Sequence, residues 1–475
     1  MSRNEKNKKW FIVMAAIIVC FAYGPPQAGA GTSWMERQKL SASDDGAAYD
    51  QFGNSVSISG DWAIVGACGD DDKGDGSGSA YMFWWDGTGW IKRQKLLATD
   101  GAYGHAFGIS VSISGEYAIV GAYYANSVKG QAYIFKLVSG EWIEQPTKLF
   151  AGDGEAGDAF GISVSISGNY AIVGARYNVE EEIRSGSAYI FWNNGTDWIE
   201  QKKLNASSRA EGDQFGISVS ISDDYAIVGA RSNDIKGSAY IFERDGTDWD
   251  EQAPKLTASD GANYDDFGYS VSISGNNAIV GACLNDEKGE YAGKAYIFYR
   301  GATSWSEQAK LTALDGDAND QFGYSVSIDG DYAIIGAPHD EDKYGPYSGT
   351  AYIFKWNGTN AQWEQEAKIY ASNGAYGDFF GCSVSIDGDN AIVGARYHYD
   401  PLQYSGSAYI FVPCDVFLIA DLNNDTKVDG KDLDILGDQF KQDPGVWSAD
   451  FDGDGDVDWD DFKIFSVQWV LYCQQ

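Results

Sequence analysis

Two short acidic segments near the C-terminal end of the chain have the residue types and the spacing of a cation-binding loop. They cover residues 421–432 and 450–461. In each segment, oxygen-bearing side chains fall at positions 1, 3, 5 and 12, and the carbonyl of position 7 is available, which is how a 12-residue loop wraps one hard cation. The predicted ligands are Asp421, Asn423, Asp425, Lys427 (carbonyl) and Asp432 in the first loop, and Asp450, Asp452, Asp454, Asp456 (carbonyl) and Asp461 in the second.

Calcium is the cation that these two loops fit best. Short carboxylates on alternate residues can converge inside a tight turn, and Ca²⁺ tolerates flexible oxygen ligands whereas Mg²⁺ demands a stricter octahedron. Each loop precedes a helical pattern of apolar residues that would anchor its last ligand. Gly455 supplies the turn at position 6 of the second loop, where the first loop has Thr426. The alternative interpretation is an acidic, solvated tail that binds no metal.

The two loops, each followed by one helix and without the leading helix of a complete EF-hand, resemble a type I dockerin over residues 421–469. The resemblance implies a small α-helical, EF-hand-like domain that folds around two Ca²⁺ ions and docks to a cohesin domain on another protein. Dockerins contact cohesins mainly through positions 10 and 11 of their loops. Here those positions are Gly430 and Lys431 in one loop, and Trp459 and Asp460 in the other. Because the two pairs differ, the resemblance specifies neither the cohesin nor a symmetric two-way docking.

Seven copies of one repeat fill most of the chain before these loops. The copies start with Phe-Gly at intervals of 52 to 58 residues, a spacing typical of propeller blades and solenoid units. Each copy contains short β-branched and aromatic runs separated by Gly, Asp and Asn, which predicts four antiparallel strands per copy. The copies begin at Phe52, Phe107, Phe160, Phe215, Phe267, Phe322 and Phe380.

The last copy lacks its fourth run, and the N-terminal part of the chain supplies it. No such run follows Phe411, whereas residues 34–40 repeat the fourth run before the first copy. An N-terminal strand that completes the last blade would close a ring and leave no open sheet edge, a device that an open solenoid does not need. The sequence therefore predicts an all-β seven-bladed β-propeller, closed by an N-terminal strand and followed by the small α-helical domain.

The Phe-Gly start of each repeat, together with the Gly-Ala that ends its second run, is similar to the FG-GAP repeats of integrin α-chain propellers. The resemblance covers roughly residues 34–411. Integrin-type blades often hold Ca²⁺ in an Asp-rich loop between their first two strands, but here that connection is short, as at residues 59–61 and 329–331. These segments have the composition of hairpin turns, so we assign no metal site to the blades.

The N-terminal segment and the net charge limit the compartment and the partners. Residues 1–30 contain basic residues and then an apolar stretch of about 14 residues, the pattern of a cleavable secretory signal peptide rather than of a membrane span. We therefore predict a secreted or cell-surface protein, with a propeller over residues 31–413 and a dockerin-like domain over residues 414–475. The net charge of −35 opposes binding to nucleic acid or to an anionic membrane surface.

Five cysteines follow the predicted signal peptide, so at least one thiol stays unpaired in an exported chain. Cys414 and Cys473 bracket the C-terminal segment, and the sequence leaves open whether they form a disulfide. Cys68 and Cys283 occupy equivalent positions in two separated blades, and we expect them to be small buried hydrophobic residues.

One face of the predicted propeller is expected to carry the binding surface. Because chain direction alternates within a blade, the loops between strands two and three emerge on the same side as the loops that enter the next blade. Both sets vary in length and are rich in acids and tyrosines, and binding is expected on variable loops of a fixed scaffold. The alternative is a solvated surface that only keeps the protein soluble. Examples of these loops are residues 44–51, 69–78, 100–105, 260–266 and 338–349.

Two recurring residue types have both a chemical and an architectural interpretation. Aspartates two residues before Phe-Gly could be catalytic carboxylates, but a residue needed once per blade is expected to fix a turn by accepting backbone amide bonds. Tryptophans that open the fourth run could stack on sugars, but packing between blades is the commoner role. The aspartates are Asp158, Asp265, Asp320 and Asp378. The tryptophans are Trp34, Trp90, Trp142, Trp198, Trp249, Trp305 and Trp363.

Motifs for nucleophilic, zinc-hydrolase or phosphate chemistry are absent from the sequence. The histidines His105, His339 and His398 lie in three different repeats without a nucleophile motif, and the abundance of acids hides any carboxylate pair for glycoside or uronide chemistry. We therefore favour a non-enzymatic binding or adhesion protein, with a protein or glycan ligand on the propeller and a cohesin-type partner on the tail. The alternatives are a polysaccharide-active protein (lectin, lyase or glycoside hydrolase accessory) and a structural spacer.

Overall fold

The computed structural model describes residues 34–42, 45–302, 304–400 and 402–413. Within these ranges, 28 strands form seven antiparallel sheets of four strands each, which confirms the predicted all-β seven-bladed propeller. The helical content of the same ranges is two short turns, Ala125–Val128 and Asn233–Ile235, and no helix there is long and apolar enough to cross a membrane. The predicted signal peptide and the predicted helical domain with its ten metal ligands lie outside the described residues.

The strands follow one another in chain order through the blades. The N-terminal strand is β1 (Trp34–Leu40). Blade one contains β2 (Phe52–Ser59), β3 (Trp62–Ala67), β4 (Ser79–Trp85) and β5 (Trp90–Leu96). Blade two contains β6 (Ser110–Ser114), β7 (Tyr117–Ala122), β8 (Gln131–Val138) and β9 (Glu141–Glu144). Blade three contains β10 (Phe160–Ser167), β11 (Tyr170–Ala175), β12 (Ser187–Asn193) and β13 (Trp198–Leu204). Blade four contains β14 (Phe215–Ser222), β15 (Tyr225–Ala230), β16 (Ser238–Asp245) and β17 (Asp248–Leu256). Blade five contains β18 (Ser270–Ser274), β19 (Asn277–Ala282), β20 (Lys294–Arg300) and β21 (Trp305–Leu311). Blade six contains β22 (Ser325–Asp329), β23 (Tyr332–Ala337), β24 (Thr350–Asn357) and β25 (Gln362–Ile369). Blade seven contains β26 (Phe380–Asp387), β27 (Asn390–Ala395), β28 (Ser407–Pro413) and β1.

The N-terminal strand completes blade seven, as the sequence predicts. β1 pairs antiparallel with β28 along its length, from Trp34 to Leu40. Two hydrogen bonds join it to blade six, because the Glu36 carboxylate accepts the backbone N–H and the hydroxyl of Ser372 at 2.8 and 2.9 Å. The first strands of successive blades contact one another around the whole ring, including β2 against β26. The first strand of each blade is therefore the innermost one, and the ring has no open end.

Neighbouring innermost strands explain the Ser-Val-Ser-Ile-Ser run of each repeat. The Val and Ile side chains of the run are buried, and the serine hydroxyls between them accept backbone N–H groups of the next blade. Ser57 Oγ, for example, accepts from Ile113 N at 3.2 Å. The same bond joins blade seven to blade one, where Ser385 Oγ accepts from Ile58 N at 3.2 Å. Each contact between blades is therefore polar as well as apolar.

The glycines of Phe-Gly and Gly-Ala mark the closest approach between blades. A Cβ on Gly394 would lie 1.9 Å from the carbonyl oxygen of Gly53, and a Cβ on Gly53 would lie 2.2 Å from that of Ser407. Gly53 also has a φ of +89°, which side-chain-bearing residues rarely adopt. The neighbouring Phe52 is buried edge-on against Tyr81. The repeat signature is therefore a packing requirement of the ring.

The tryptophans of the outermost strands pack between blades, as expected. Six of the seven are buried, and Trp363 is partly buried. The ring of Trp34 meets Tyr332 of blade six edge-on with centroids 5.5 Å apart, and Trp142 of blade two meets Trp62 of blade one at 5.4 Å. These buried rings are not available as platforms for a ligand.

The connections between first and second strands are two-residue hairpin turns, which also agrees with the sequence. Ser59 pairs with Trp62 at the end of blade one, and Asp329 pairs with Tyr332 in blade six. The opposite side of the propeller carries the longer loops, so most of the variation between blades is found there.

Candidate functional site

The two sets of variable loops share one side of the propeller, as predicted, and we call this side the loop face. Backbone hydrogen bonds join each pair of neighbouring loops, such as Tyr49 N to Gln403 O at 2.9 Å and Tyr264 N to Ile235 O at 2.8 Å. The loops between strands two and three are residues 68–78, 123–130, 176–186, 231–237, 283–293, 338–349 and 396–406. The loops that enter the next blade are residues 41–51, 97–109, 145–159, 205–214, 257–269, 312–324 and 370–379.

The aspartates before Phe-Gly fix turns of the loop face, which confirms the architectural interpretation. Asp158 accepts the backbone N–H of Glu155 at 2.8 Å, and Asp378 accepts that of Ala375 at 2.7 Å. In blade two the position is taken by His105. Two further aspartates that the sequence interpretation omitted make the same bond and stand at the same offset from Phe-Gly. The remaining members of the set are Asp50, Asp213, Asp265 and Asp320.

Each of these aspartates faces the residue three positions after the Gly-Ala of its blade. In blade three, Asn178 Nδ2 donates to Asp158 Oδ2 at 2.8 Å, and blades four and five repeat this Asp–Asn pair. In blade seven the partner is a histidine, whose Nδ1 lies 2.6 Å from Asp378 Oδ2. In blades one and six the partner is a second aspartate.

The two Asp–Asp pairs place buried carboxyl groups next to each other. Asp50 faces Asp70, and Asp320 faces Asp340, with all four side chains buried. Burial, and then the charge of the partner carboxylate, raise the pKa of Asp50 to about 6 and that of Asp320 to about 7. The partner carboxylates are ion-paired, as Lys95 lies 2.7 Å from Asp70. These acids titrate unusually, but they are covered by the turns that they hold.

Many other acids of the loop face are neutralised within the propeller. Asp100 accepts the Tyr133 hydroxyl at 2.9 Å and lies 2.7 Å from Lys148, and these contacts lower its pKa against the effect of burial. Asp315 is held in the same way by Lys368 and Tyr352. Among the described residues, no group of three or more His, Cys, Asp or Glu side chains is arranged to hold a metal ion. Part of the negative charge of these loops is therefore neutralised by lysines of the propeller itself.

A continuous row of six aromatic rings crosses the loop face from blade six to blade one. Neighbouring ring centroids lie 5.3–6.3 Å apart. Phe379 and Tyr347 are stacked with their planes 7° apart, and the other contacts are edge-on. Four of the tyrosines are exposed, and Tyr376 is 70% exposed. We call this row the aromatic track, and its members in order are Tyr376, Tyr347, Phe379, Tyr397, Tyr404 and Tyr49.

The residue directly after each Gly-Ala lies beside the entry to an innermost strand, and we call these seven residues the inner rim. Cys68 and Cys283 are buried free thiols at this position, as expected. Burial raises the pKa of the Cys68 thiol to about 11, so it is protonated at neutral pH. The inner rim consists of Cys68, Tyr123, Arg176, Arg231, Cys283, Pro338 and Arg396.

A cleft of about 730 Å³ opens between the loops of blades three and four. Its lining includes Ser207, Arg209 and Asn233, and contains no aromatic ring. Ser207 is bonded to Glu251, and Asn233 to Asp213, so the polar groups of the lining already have partners within the propeller. The aromatic track therefore remains the stronger candidate for a ligand site.

Comparisons with known proteins agree with this architecture. The family model of the FG-GAP repeat matches the chain at residues 34–83, 90–135, 142–191, 198–242, 249–298, 305–354 and 363–411. No curated protein matches the chain. Solved structures similar to it include a Bacteroides uniformis protein described as a 6-phosphogluconolactonase, with 12% identity, coverage of 68% of this chain and 86% of that one, and a TM-score of 0.45. A chain of the Mitotic Checkpoint Complex has 12% identity, coverage of 82% and 96%, and a TM-score of 0.49.

Neither structural similarity is strong enough to inform function. The repeat matches are different, because they recur with the period of the blades, and each runs from the outermost strand of one blade through the first three strands of the next. Together they cover well over half of the sequence. The chain therefore belongs to the FG-GAP repeat family.

Proposed function

We propose that this protein is a secreted binding protein whose propeller holds a glycan on the aromatic track. An FG-GAP propeller suggests a binding or adhesion protein, and the aromatic track is the observation that carries the ligand assignment. Pyranose rings expose apolar C–H faces that pack on aromatic rings, and tyrosine hydroxyls can bond to sugar hydroxyls. Four of the six rings are exposed tyrosines, each of which offers an apolar ring face and a hydroxyl to a sugar.

We propose that the propeller binds the glycan without cleaving it, and the positions of the described carboxyl groups support this. Asp50 and Asp320 have the raised pKa values that a general acid needs. However, both side chains are buried, and each commits one oxygen to a backbone amide. A sugar on the loop face would not reach them. Release of reducing sugar from a bound polysaccharide would overturn the binding-only proposal in favour of a polysaccharide-active protein.

A glycan array probed with the full chain tests the ligand assignment. We expect Tyr347→Ala to weaken binding of the best glycan at least about fivefold, because it removes a stacked ring from the middle of the track. Tyr103→Ala is the matched control, since Tyr103 is 76% exposed on the same face but outside the track. Binding that both substitutions leave unchanged, or the absence of any bound glycan, would contradict the assignment and leave a protein ligand or a spacer role.

For the C-terminal segment, we propose two bound Ca²⁺ ions and docking to a cohesin-type partner. Support comes from the two acidic loops in register and their likeness to a dockerin. Calorimetric titration of the full chain should detect two ions, and Asp450→Ala or Asp461→Ala should remove one of them. Asp443→Ala, an acid between the loops, is the control. Absence of Ca²⁺ binding, or binding unchanged by Asp450→Ala and Asp461→Ala, would disprove the calcium sites.

Partner docking and export have separate tests. Pull-down of a cohesin panel by the full chain should depend on Ca²⁺ and disappear with EDTA, and capture that EDTA leaves intact would contradict a dockerin mechanism. Export predicts that N-terminal sequencing of the protein from culture medium begins near residue 31. Recovery of the uncleaved chain from inside the cells would contradict secretion.

A further inference from the structure

Three of the seven inner-rim positions carry an arginine, in blades three, four and seven. Arg231 Nη1 lies 3.6 Å from Asp266, whereas no salt bridge in the described part of the chain involves Arg176 or Arg396. This is unexpected in a sequence with 69 acidic residues and 34 lysines and arginines. The Nε atom of each of the three is buried and has no hydrogen-bond acceptor among the described residues. A cation that is half-removed from water and lacks a counter-ion is costly, and an anion would relieve that cost.

Arg396 is the arginine that adjoins the aromatic track. Its Cζ lies 4.9 Å from the ring centroid of Tyr397 and 5.8 Å from that of Phe379. Cation–π contacts of this kind stabilise the guanidinium in part, but they do not neutralise it. The neighbouring His339 adds no second charge near neutral pH, because burial and then the charge of Arg396 lower its pKa. The Arg396 guanidinium also bonds to the neutral hydroxyl of Tyr324. A guanidinium that has no carboxylate partner among the described residues therefore lies directly beside the middle of the track.

From this arrangement we infer that the ligand of the aromatic track is an acidic glycan, whose carboxylate pairs with Arg396 while its sugar ring packs on the track. This inference rests on the glycan proposal above. A hexuronic acid residue carries an apolar ring face and a planar carboxylate on the same sugar, which is the combination that the track and Arg396 present. The guanidinium fork binds a carboxylate through two parallel hydrogen bonds, so it discriminates an acidic sugar from the neutral one.

The net charge of −35 does not exclude an acidic ligand. Repulsion between exposed charges is screened over about 8 Å at physiological ionic strength, whereas a partly buried pair is screened much less. The overall charge therefore slows the encounter, and the contacts at the site determine the affinity. The acids of blades six and seven also repel less than their number implies, since Lys368 pairs with Asp315 and Asp340, and Lys39 pairs with Asp400.

The test compares an acidic sugar with its neutral counterpart. Calorimetry on the full chain, with EDTA present to exclude bridging by Ca²⁺, would use a trisaccharide of hexuronic acid and the same trisaccharide with its carboxyl groups reduced. We expect the acidic sugar to bind about tenfold more tightly or better. Arg396→Gln should abolish that preference, so that the acidic and the neutral sugar bind with equal affinity. Arg93→Gln is the matched control, because Arg93 stacks on Trp84 at 4.4 Å outside the track.

Arg396→Lys separates the fork from the charge, and we expect it to restore only part of the preference. The comparison of the two sugars on the unsubstituted protein decides the inference even if Arg396→Gln fails to fold. Equal affinity for both sugars, or full preference in Arg396→Gln, would overturn the acidic ligand and leave the glycan proposal standing. Binding of neither sugar across the array and the calorimeter would overturn both, and capture of a polyglutamate peptide instead would assign Arg396 to a protein ligand.

Discussion

His398 Nδ1 lies 2.6 Å from Asp378 Oδ2, and both side chains are buried in blade seven. In blades three to five, the equivalent residue is an asparagine that donates to the equivalent aspartate. The imidazole therefore replaces an amide in an architectural pair. Its Nε2 lies 3.3 Å from Lys39 Nζ and 3.1 Å from Asn373 Nδ2, so the hydrogen-bond network assigns the proton to Nδ1. An Asp–His contact in this fold thus links β1 to its blade.

The histidine pair predicts different effects for two substitutions at one position. His398→Ala should lower the free energy of unfolding by about 2–3 kcal/mol, because it leaves a cavity and removes the side-chain donor to Asp378, which keeps the backbone N–H of Ala375. His398→Asn should cost about half as much or less, because it recreates the Asp–Asn pair of blades three to five. Urea denaturation of both variants measures the difference. Equal losses would show that the hydrogen bond to Asp378 contributes nothing.

Asp320 predicts a pH dependence of stability. Its folded-state pKa of about 7 is above the ordinary value of 3.8, so the folded protein holds more protons than the unfolded chain between those values. Stability from this group therefore falls as pH rises from about 4 to 7. Asp320→Asn imitates the protonated form and should be more stable than the unsubstituted protein above pH 7, by roughly 1–2 kcal/mol, with the difference vanishing near pH 4.

Thermal unfolding across the pH range checks this prediction. The control is Asp331→Asn, which alters an exposed turn residue of the same blade. A gain in stability of Asp320→Asn that is the same at pH 4 and pH 8 would contradict the assigned protonation, since the gain would then have another cause.

The ring could be predicted from the sequence because the same blade motif repeats seven times along the chain. Phe-Gly, Gly-Ala and the opening tryptophan recur in register, and the placement of residues 34–40 requires only that the set of fourth strands be complete. The aromatic track could not be predicted in the same way. Tyr347, Phe379 and Tyr404 come from three loops of different length, so their contact depends on how adjacent blades pack. The tyrosine content of the loops was the available signal.

The surroundings of the inner-rim arginines could not be predicted from the sequence either. The repeat alignment places Arg396 at the position of Cys68, but it does not show that Tyr397 and Phe379 flank the guanidinium or that no carboxylate reaches it. The excess of acidic residues in the composition is even misleading here, because it suggests that every arginine has a carboxylate partner. The loop aspartates of blades two, three and six are already held by lysines and tyrosines of their own neighbourhood.

The glycine of Gly-Ala predicts a position that tolerates no side chain. Gly394→Ala should cost more than about 4 kcal/mol or prevent folding, because its Cβ would lie 1.9 Å from the backbone oxygen of Gly53, which cannot rotate away. Gly358→Ala is the matched control, since the nearest atom to its Cβ is 4.0 Å away in an exposed turn. The yield of folded protein and its melting temperature compare the two. A Gly394→Ala protein that melts like the control would show that neighbouring blades can separate at this contact.

The closure of the ring predicts the consequence of losing β1. Deletion of residues 1–40 should expose the edge of β28 and leave blade seven with three strands, so that the protein aggregates or unfolds at lower temperature. The graded version is Glu36→Ala, which removes two hydrogen bonds to Ser372 and should cost about 1–3 kcal/mol. Glu364→Ala is its control, because Glu364 is exposed on the outermost strand of blade six and bonds only within its own hairpin.

A synthetic peptide of residues 34–42 tests whether the deletion destabilises the protein because β1 is missing from blade seven or because of another effect of shortening the chain. When it is added to the protein that lacks residues 1–40, the peptide should pair with β28 as β1 does and raise the melting temperature. The same peptide with Trp34→Ala should bind more weakly, because Trp34 packs against Tyr332. Stabilisation by both peptides alike would mean that β28 accepts any strand. A deleted protein as stable as the full chain would mean that three strands suffice for the last blade and that the ring does not depend on its N-terminal strand.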